Sequence, residues 1–347
     1  MLYKSQNPHG GDVYSNQIRL DFSSNINPFG VPESVKDAVK NSVSGIHHYP
    51  DPYCRQLVRA ISGHEGLPEK YIICGNGGAE LIYSYCTALS PGKALEPAPT
   101  FSEYALGLEN AGCMPDYYHL GRDNDFELDS GFADRVKEEK PDVVFVCSPN
   151  NPTGRLVSHN LLEELLNICS DCSIRLFVDE SFLDLADGIS LKDHIPDCRM
   201  LFILKAFTKN YAVAGLRLGY ALTSDEELLE KMSESVQPWN VSVPAQAAGL
   251  AALKEKEFLA ESVSFIKDER KWMKDQLEKR GFYVCPSDAN YLLFRSEKEI
   301  ASALRQQRIA VRDCSNYEGL EKGWYRIAVR PHTENEELLK AIDTIYK

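Results

Sequence analysis

No apolar run in this chain approaches the roughly 20 residues that a membrane-spanning helix needs. Met1 to Gly11 lacks the apolar segment of a secretory leader, so the sequence reads as cytoplasmic. Basic residues are in short supply: 38 Lys and Arg stand against 51 Asp and Glu, a net charge of −13. That excludes nucleic acid and an anionic membrane as main partners, because both need a basic footprint. A small anionic substrate stays open, since a local arginine cluster overrides the global field. Paired metal-binding cysteines are missing too. Ten cysteines are scattered, and Cys169 and Cys172 form the only C-x-x-C. No metal site is expected from that spacing. Cys74 and Cys147 fall inside apolar runs as small buried hydrophobes, a usage that fits a reducing compartment. There is no internal repeat and no low-complexity tract.

What is present is a chain of 347 residues, 43% hydrophobic, enough for one large and one small domain. Residues 1–31 are polar and turn-rich and read as an arm packing with the small domain. Pro32 to Gly45 reads as a helix with Pro in its first turn and Gly past its end. A second amphipathic helix ends near Gly63. From Tyr71 apolar strands alternate with helices: Tyr71–Cys74, Ala94–Glu96, Asp142–Cys147, Ile174–Val178, Met200–Leu204 and Gly219–Leu222. Helical patterns at Ser102–Ala111 and Leu161–Ile168 lie between some of them. Alternation of this kind predicts an α/β class, with a mostly parallel sheet covered on both faces. Beyond Trp239 the texture becomes helix-dominated and then mixed. The expected division is a large domain over 32–240 and a smaller α+β domain over 241–347.

The chemistry concentrates where these strands end, which is where open α/β sheets place ligands. After Met200–Leu204 come two lysines expected just past the strand, in Lys205-Ala206-Phe207-Thr208-Lys209, and then Gly215-Leu216-Arg217-Leu218-Gly219. A desolvated lysine amine loses its proton more easily and becomes a nucleophile. A threonine hydroxyl and an arginine suit a phosphate. Read alone, Lys209 is equally well a solvated loop residue. Gly75-Asn76-Gly77-Gly78-Ala79-Glu80 opens a helix whose N–H groups can meet a phosphate, though such a turn is also an ordinary connection. Ser148-Pro149-Asn150-Asn151-Pro152 makes a good β-turn and also offers an amide donor. Asp179-Glu180 ends a strand, where an aspartate either caps a helix or holds a proton on a ring nitrogen.

Together, the order turn 75–78, Asn151, Asp179, Lys209, Arg217 resembles the fold-type I aminotransferases that use pyridoxal 5′-phosphate. The resemblance spans nearly the whole chain. It implies that Lys209 is the Schiff-base lysine and Asp179 the partner of the pyridinium nitrogen. It also implies that Asn151 donates to the ring hydroxyl oxygen, and that Gly78, Ala79, Thr208 and Arg217 form the phosphate cup. Phe101 matches the aromatic that stacks on the ring. Tyr49, in His48-Tyr49-Pro50, matches a tyrosine that reaches the phosphate of a second subunit, which implies a homodimer with shared sites. Two positions depart from the pattern: Phe182 stands where many relatives have Tyr, and Ala206 where they have Ser or Thr.

Within that family the chain is similar to the branch of histidinol-phosphate aminotransferase and L-threonine-O-3-phosphate decarboxylase. The stretches His9-Gly10-Gly11, Asp21 to Pro28 and Arg312-Asp313-Cys314-Ser315-Asn316-Tyr317 favour the decarboxylase. The implied reaction is decarboxylation of a phosphorylated amino acid to (R)-1-amino-2-propanol phosphate, as in cobalamin biosynthesis. The alternative is an aminotransferase of the histidinol-phosphate or class I/II type. A third reading, a non-catalytic regulator on the same fold, is disfavoured because the residues that carry the chemistry are all present. His9, Asn27, Arg312, Arg326 and Arg330 are the expected substrate ligands. By resemblance Arg326 takes a carboxylate and Arg312 a phosphate; the match assigns no job to Arg330.

Overall fold

A computed structural model describes residues 9–14 and 17–347. Its largest sheet has seven strands, in the spatial order Ile72–Gly75, Gly219–Leu222, Leu201–Ala206, Arg175–Asp179, Val143–Cys147, Ala94–Ala98, Pro115–His119. Gly219–Leu222 runs antiparallel to both its neighbours, and the other pairings are parallel. Val143–Cys147 and Leu201–Ala206 are buried at every position. Their continuous Val, Phe and Leu runs follow from a sheet covered on both faces. Phe145, Phe177 and Phe202 line one face under Tyr85 and Tyr104. Val146, Val178 and Ile203 line the other, under the helices His159–Cys172 and Val243–Ala252.

Pro115–His119, Ser130–Glu139 and Glu226–Ser235 fall between the elements expected from sequence. Pro115 has no N–H and is tolerated there because the strand is an edge. The strand through Met200–Leu204 was expected to end before Lys205, but it continues through Lys205 and Ala206. Lys205 is therefore a buried sheet residue and not a loop lysine.

A second, antiparallel sheet holds Arg312–Asp313, Trp324–Ala328, Tyr291–Arg295 and Tyr283–Val284 in that order. Its core includes Leu277, Phe294, Ile327 and Leu338. Leu20–Asp21 pairs in parallel with Ile309–Ala310, and Phe22 enters this core. The helix Val243–Ala252 packs differently from the expected change of texture near 240. Its Ala245, Ala248 and Ala252 lie in the core of the seven-stranded sheet. Among the described residues no helix is long and apolar enough to cross a membrane.

Asn27, expected at the substrate, is instead a structural tie. Its side chain is fully buried. The amide donates to Asn210 O (2.9 Å) and Ser262 Oγ (2.7 Å) and accepts from Phe29 N (3.0 Å). Its backbone N–H donates to Lys209 O at 2.9 Å. Every polar atom is used within the fold, so none is left for a ligand. Asn27→Ala leaves these buried groups unpaired, and the expected loss is about 1–3 kcal/mol. Chemical denaturation checks this; an unchanged midpoint would contradict the role.

Candidate active site

Strand alternation turns Asp179, Leu204 and Ala206 toward the same side of the sheet. There they meet the N-terminus of the helix Gly78–Leu89 and the short helix Phe207–Asn210. The enclosed space is a cavity of about 130 Å³, with Gly78, Asp179, Thr208, Lys209 and Arg217 in its wall. It continues into an outer cavity of about 370 Å³ bounded by His9, Arg312, Tyr317 and Arg326. Ala79, Phe101, Asn151, Phe182, Lys209 and Arg217 border both. The structure thus brings the residues expected at a cofactor into one place, except Tyr49.

Asp179 is buried and away from water. It accepts from Tyr104 Oη (2.6 Å) and from Ser181 N (2.8 Å). Burial raises its pKa, opposed by the Ser181 and Tyr104 hydrogen bonds and the charge of Lys209. A carboxylate so placed is completed by a cation on its cavity side. Sequence reasoning missed Tyr104. The available signal was its position three residues after Phe101, on the helix Glu103–Asn110 that covers the ring side of the sheet.

The glycine turn is as tight as its composition requires. Gly77 has φ +86°, and a Cβ there would sit 2.5 Å from Arg217 Nη2. No side chain caps the helix that begins at Gly78, so its first N–H groups are left for an anion. Arg217 stands beside them with φ +56°.

Lys209 lies at the junction of the two cavities, its Nζ 5.7 Å from the Phe182 ring centre. Burial, then the charges of Arg326 and Arg217, lower its pKa to about 8, against the opposing pull of Asp179.

Arg326 is fixed by its partners. Nη1 donates to Asn151 Oδ1 and Nη2 to Ser23 O (2.9 Å). Its Nε is buried without a partner. Asn151 Oδ1 also accepts from Tyr317 Oη at 3.3 Å, which leaves the amide NH₂ as its donor side. Arg312 donates to Asn316 Oδ1 (2.7 Å) and lies over the Tyr317 ring. His9 Nε2 pairs with Glu103 Oε1 at 2.6 Å at the mouth.

Arg330 is a correction. It borders neither cavity, and its Nε pairs with Glu334 Oε2 at 3.0 Å on its own side of the second sheet. Tyr49 is 77% exposed and stacks on Trp239 at 4.4 Å. Within one chain it borders neither cavity.

A family model described as aminotransferase class I and II matches residues 17–345. The chain belongs to that family. It is 33% identical to threonine-phosphate decarboxylase from Salmonella typhimurium, covering 97% of this chain and 96% of the relative. It is 29% identical to a solved histidinol-phosphate aminotransferase from Clostridium acetobutylicum, with a TM-score of 0.86, covering 94% of this chain and 98% of that one. The histidinol-phosphate aminotransferase of Sinorhizobium meliloti, solved in complex with pyridoxal-5′-phosphate, shares the fold. Its TM-score is 0.84 at 20% identity, covering 94% of this chain and 92% of that one.

Pyridoxal 5′-phosphate is the cofactor, and the residues present fit it. An uncapped helix N-terminus beside Arg217 suits its phosphate. A dry carboxylate at Asp179 suits a protonated ring nitrogen, and a lysine with a depressed pKa suits its aldehyde. In cofactor-free protein, trace acetylation of Lys209 is expected to reach its midpoint near pH 8, well below surface lysines. Peptide mass spectrometry across pH reads this; a midpoint near 10.5 would contradict the burial argument.

Proposed function

We propose that the protein decarboxylates L-threonine O-3-phosphate to (R)-1-amino-2-propanol phosphate, acting as a homodimer in which Tyr49 reaches the cofactor phosphate of the second subunit. One observation carries most of the weight: two buried arginines, Arg312 and Arg326, converge on the outer cavity. Guanidinium groups suit a phosphate, and cations that hold the substrate phosphate leave its carboxylate free to depart. The 33% identity to the Salmonella decarboxylase over nearly the whole chain supports the same choice.

In this reading Gly78, Ala79, Thr208 and Arg217 hold the cofactor phosphate. The Asn151 amide would donate to the ring hydroxyl oxygen, alone, because Phe182 has no hydroxyl to share the task. Phe101 would cover the ring, and Lys209 would supply the amine that bonds the cofactor aldehyde. The bound cofactor supplies an electron sink for the bond that breaks at the substrate Cα. The protein's own part is to choose that bond. Anchoring the substrate phosphate at Arg312 leaves the carboxylate as the departing group. Anchoring the carboxylate at Arg326 instead leaves a proton as the departing group, and transamination follows. Lys209, easily deprotonated, would take the proton from Cα in transamination, whereas in decarboxylation its protonated form would only deliver one to Cα after carbon dioxide leaves. His9 and Glu103 close the mouth over the substrate.

Incubation of the holoenzyme with L-threonine phosphate, with and without 2-oxoglutarate, tests the reading. Carbon dioxide released without any keto acid is the expected result. Glutamate formed only with the keto acid, and no gas, would assign the protein to the aminotransferases.

A further inference from the structure

On the face of the sheet opposite the cavity lies a buried ionic cluster. Lys205 Nζ is 3.1 Å from Asp184 Oδ1, 3.6 Å from Glu65 Oε1 and 3.9 Å from Glu180 Oε2. Glu65 also pairs with Lys192 at 3.0 Å and accepts from Tyr220 Oη. Glu180 accepts from Ser190 Oγ (2.7 Å) and Leu191 N (3.1 Å). Asp184 accepts from Asn210 Nδ2 at 2.7 Å. Burial alone would lower the Lys205 pKa, but Asp184, Glu180 and Glu65 raise it above its ordinary value. The three carboxylates thus favour the charged form of Lys205.

The cluster mirrors the cavity residue by residue. Glu180 follows Asp179, Lys205 sits between Leu204 and Ala206, Tyr220 follows Gly219, and Asn210 follows Lys209. At two strand ends Asp179 and Leu204 face the cavity while the next residues, Glu180 and Lys205, face the cluster, and Tyr220 joins the cluster from the neighbouring strand. Buried ion pairs are poor stabilisers compared with apolar packing, and a documented use for them is to fix register. We infer that Lys205, with Glu65, Glu180 and Asp184, is a positioning device that locks these strand ends together and, through Asn210, sets the orientation of Lys209 in the cavity. The inference rests on the reading of Lys209 as the amine that bonds the cofactor.

The groups that act most on Lys209 are Arg326 and Arg217, which lower its pKa, and Asp179 and Asp21, which raise it. None belongs to the cluster, so the cluster reaches the amine through geometry.

The test uses cofactor-free full-length protein and the pH dependence of acetylation at residue 209. Lys205→Met and Asn210→Ala are expected to move the midpoint upward by at least half a unit, about a twofold loss of reactive amine at pH 8. Lys205→Arg, which keeps the charge, is expected to hold the wild-type midpoint. Folded Lys205→Met and Asn210→Ala proteins that kept the wild-type midpoint would overturn the inference, even if their melting temperatures fell. Should Lys205→Met not fold, Asn210→Ala decides alone, because it leaves the ion pairs in place. Borohydride reduction of the wild-type holoenzyme separates the two failures. Cofactor trapped on a lysine other than 209 removes the reading beneath the inference, whatever the midpoints do.

Discussion

A carboxylate kept away from water must be met by something, and Asp179 organises this molecule around that need. Two donors, Tyr104 and Ser181, satisfy part of its demand from inside the fold. The rest faces the cavity. A charge pair about 4 Å apart at an effective dielectric of ~20 is worth roughly 4 kcal/mol. That is enough to hold a proton on an opposing ring nitrogen across about three pH units. The same dryness makes Lys209 a poor cation, and the two arginines nearby depress it further. One environment thus prepares an acid partner and a nucleophile in opposite senses.

The sheet delivers these groups by simple alternation. Strands buried on both faces must find partners inside the fold for most of their polar side chains. At their carboxyl ends one face carries the cavity and the other the Lys205 cluster. The arm adds a third element. Asn27 ties residues before the first helix to the turn that carries Lys209, and Ser23 O holds one nitrogen of Arg326. Segments far apart in sequence therefore converge on two side chains.

Much of this was legible before any coordinates. Asp179, Lys209, Arg217 and the turn at 75–78 each had an ordinary reading alone, and it was their joint resemblance to the fold-type I aminotransferases that singled them out. The parallel core strands were visible as apolar runs. What was not legible had physical causes. Lys205 looked like a loop lysine because sequence does not show that three carboxylates wait for it inside the sheet. Asn27 and Arg330 looked like substrate ligands because residue type does not reveal that Asn210, Ser262 and Glu334 already occupy them. Tyr104 was read only as part of a helix, since its hydroxyl matters solely through Asp179. The edge strand Pro115–His119 was hidden by its leading proline and half-exposed pattern.

The account depends most on Asp179 facing the cofactor ring nitrogen as a charged group. Holoenzyme loaded with ¹⁵N-labelled pyridoxal phosphate tests this directly by nitrogen NMR. The account predicts a protonated ring nitrogen in the wild-type protein and an unprotonated one in Asp179→Ala. The same nitrogen shift in both proteins would contradict it.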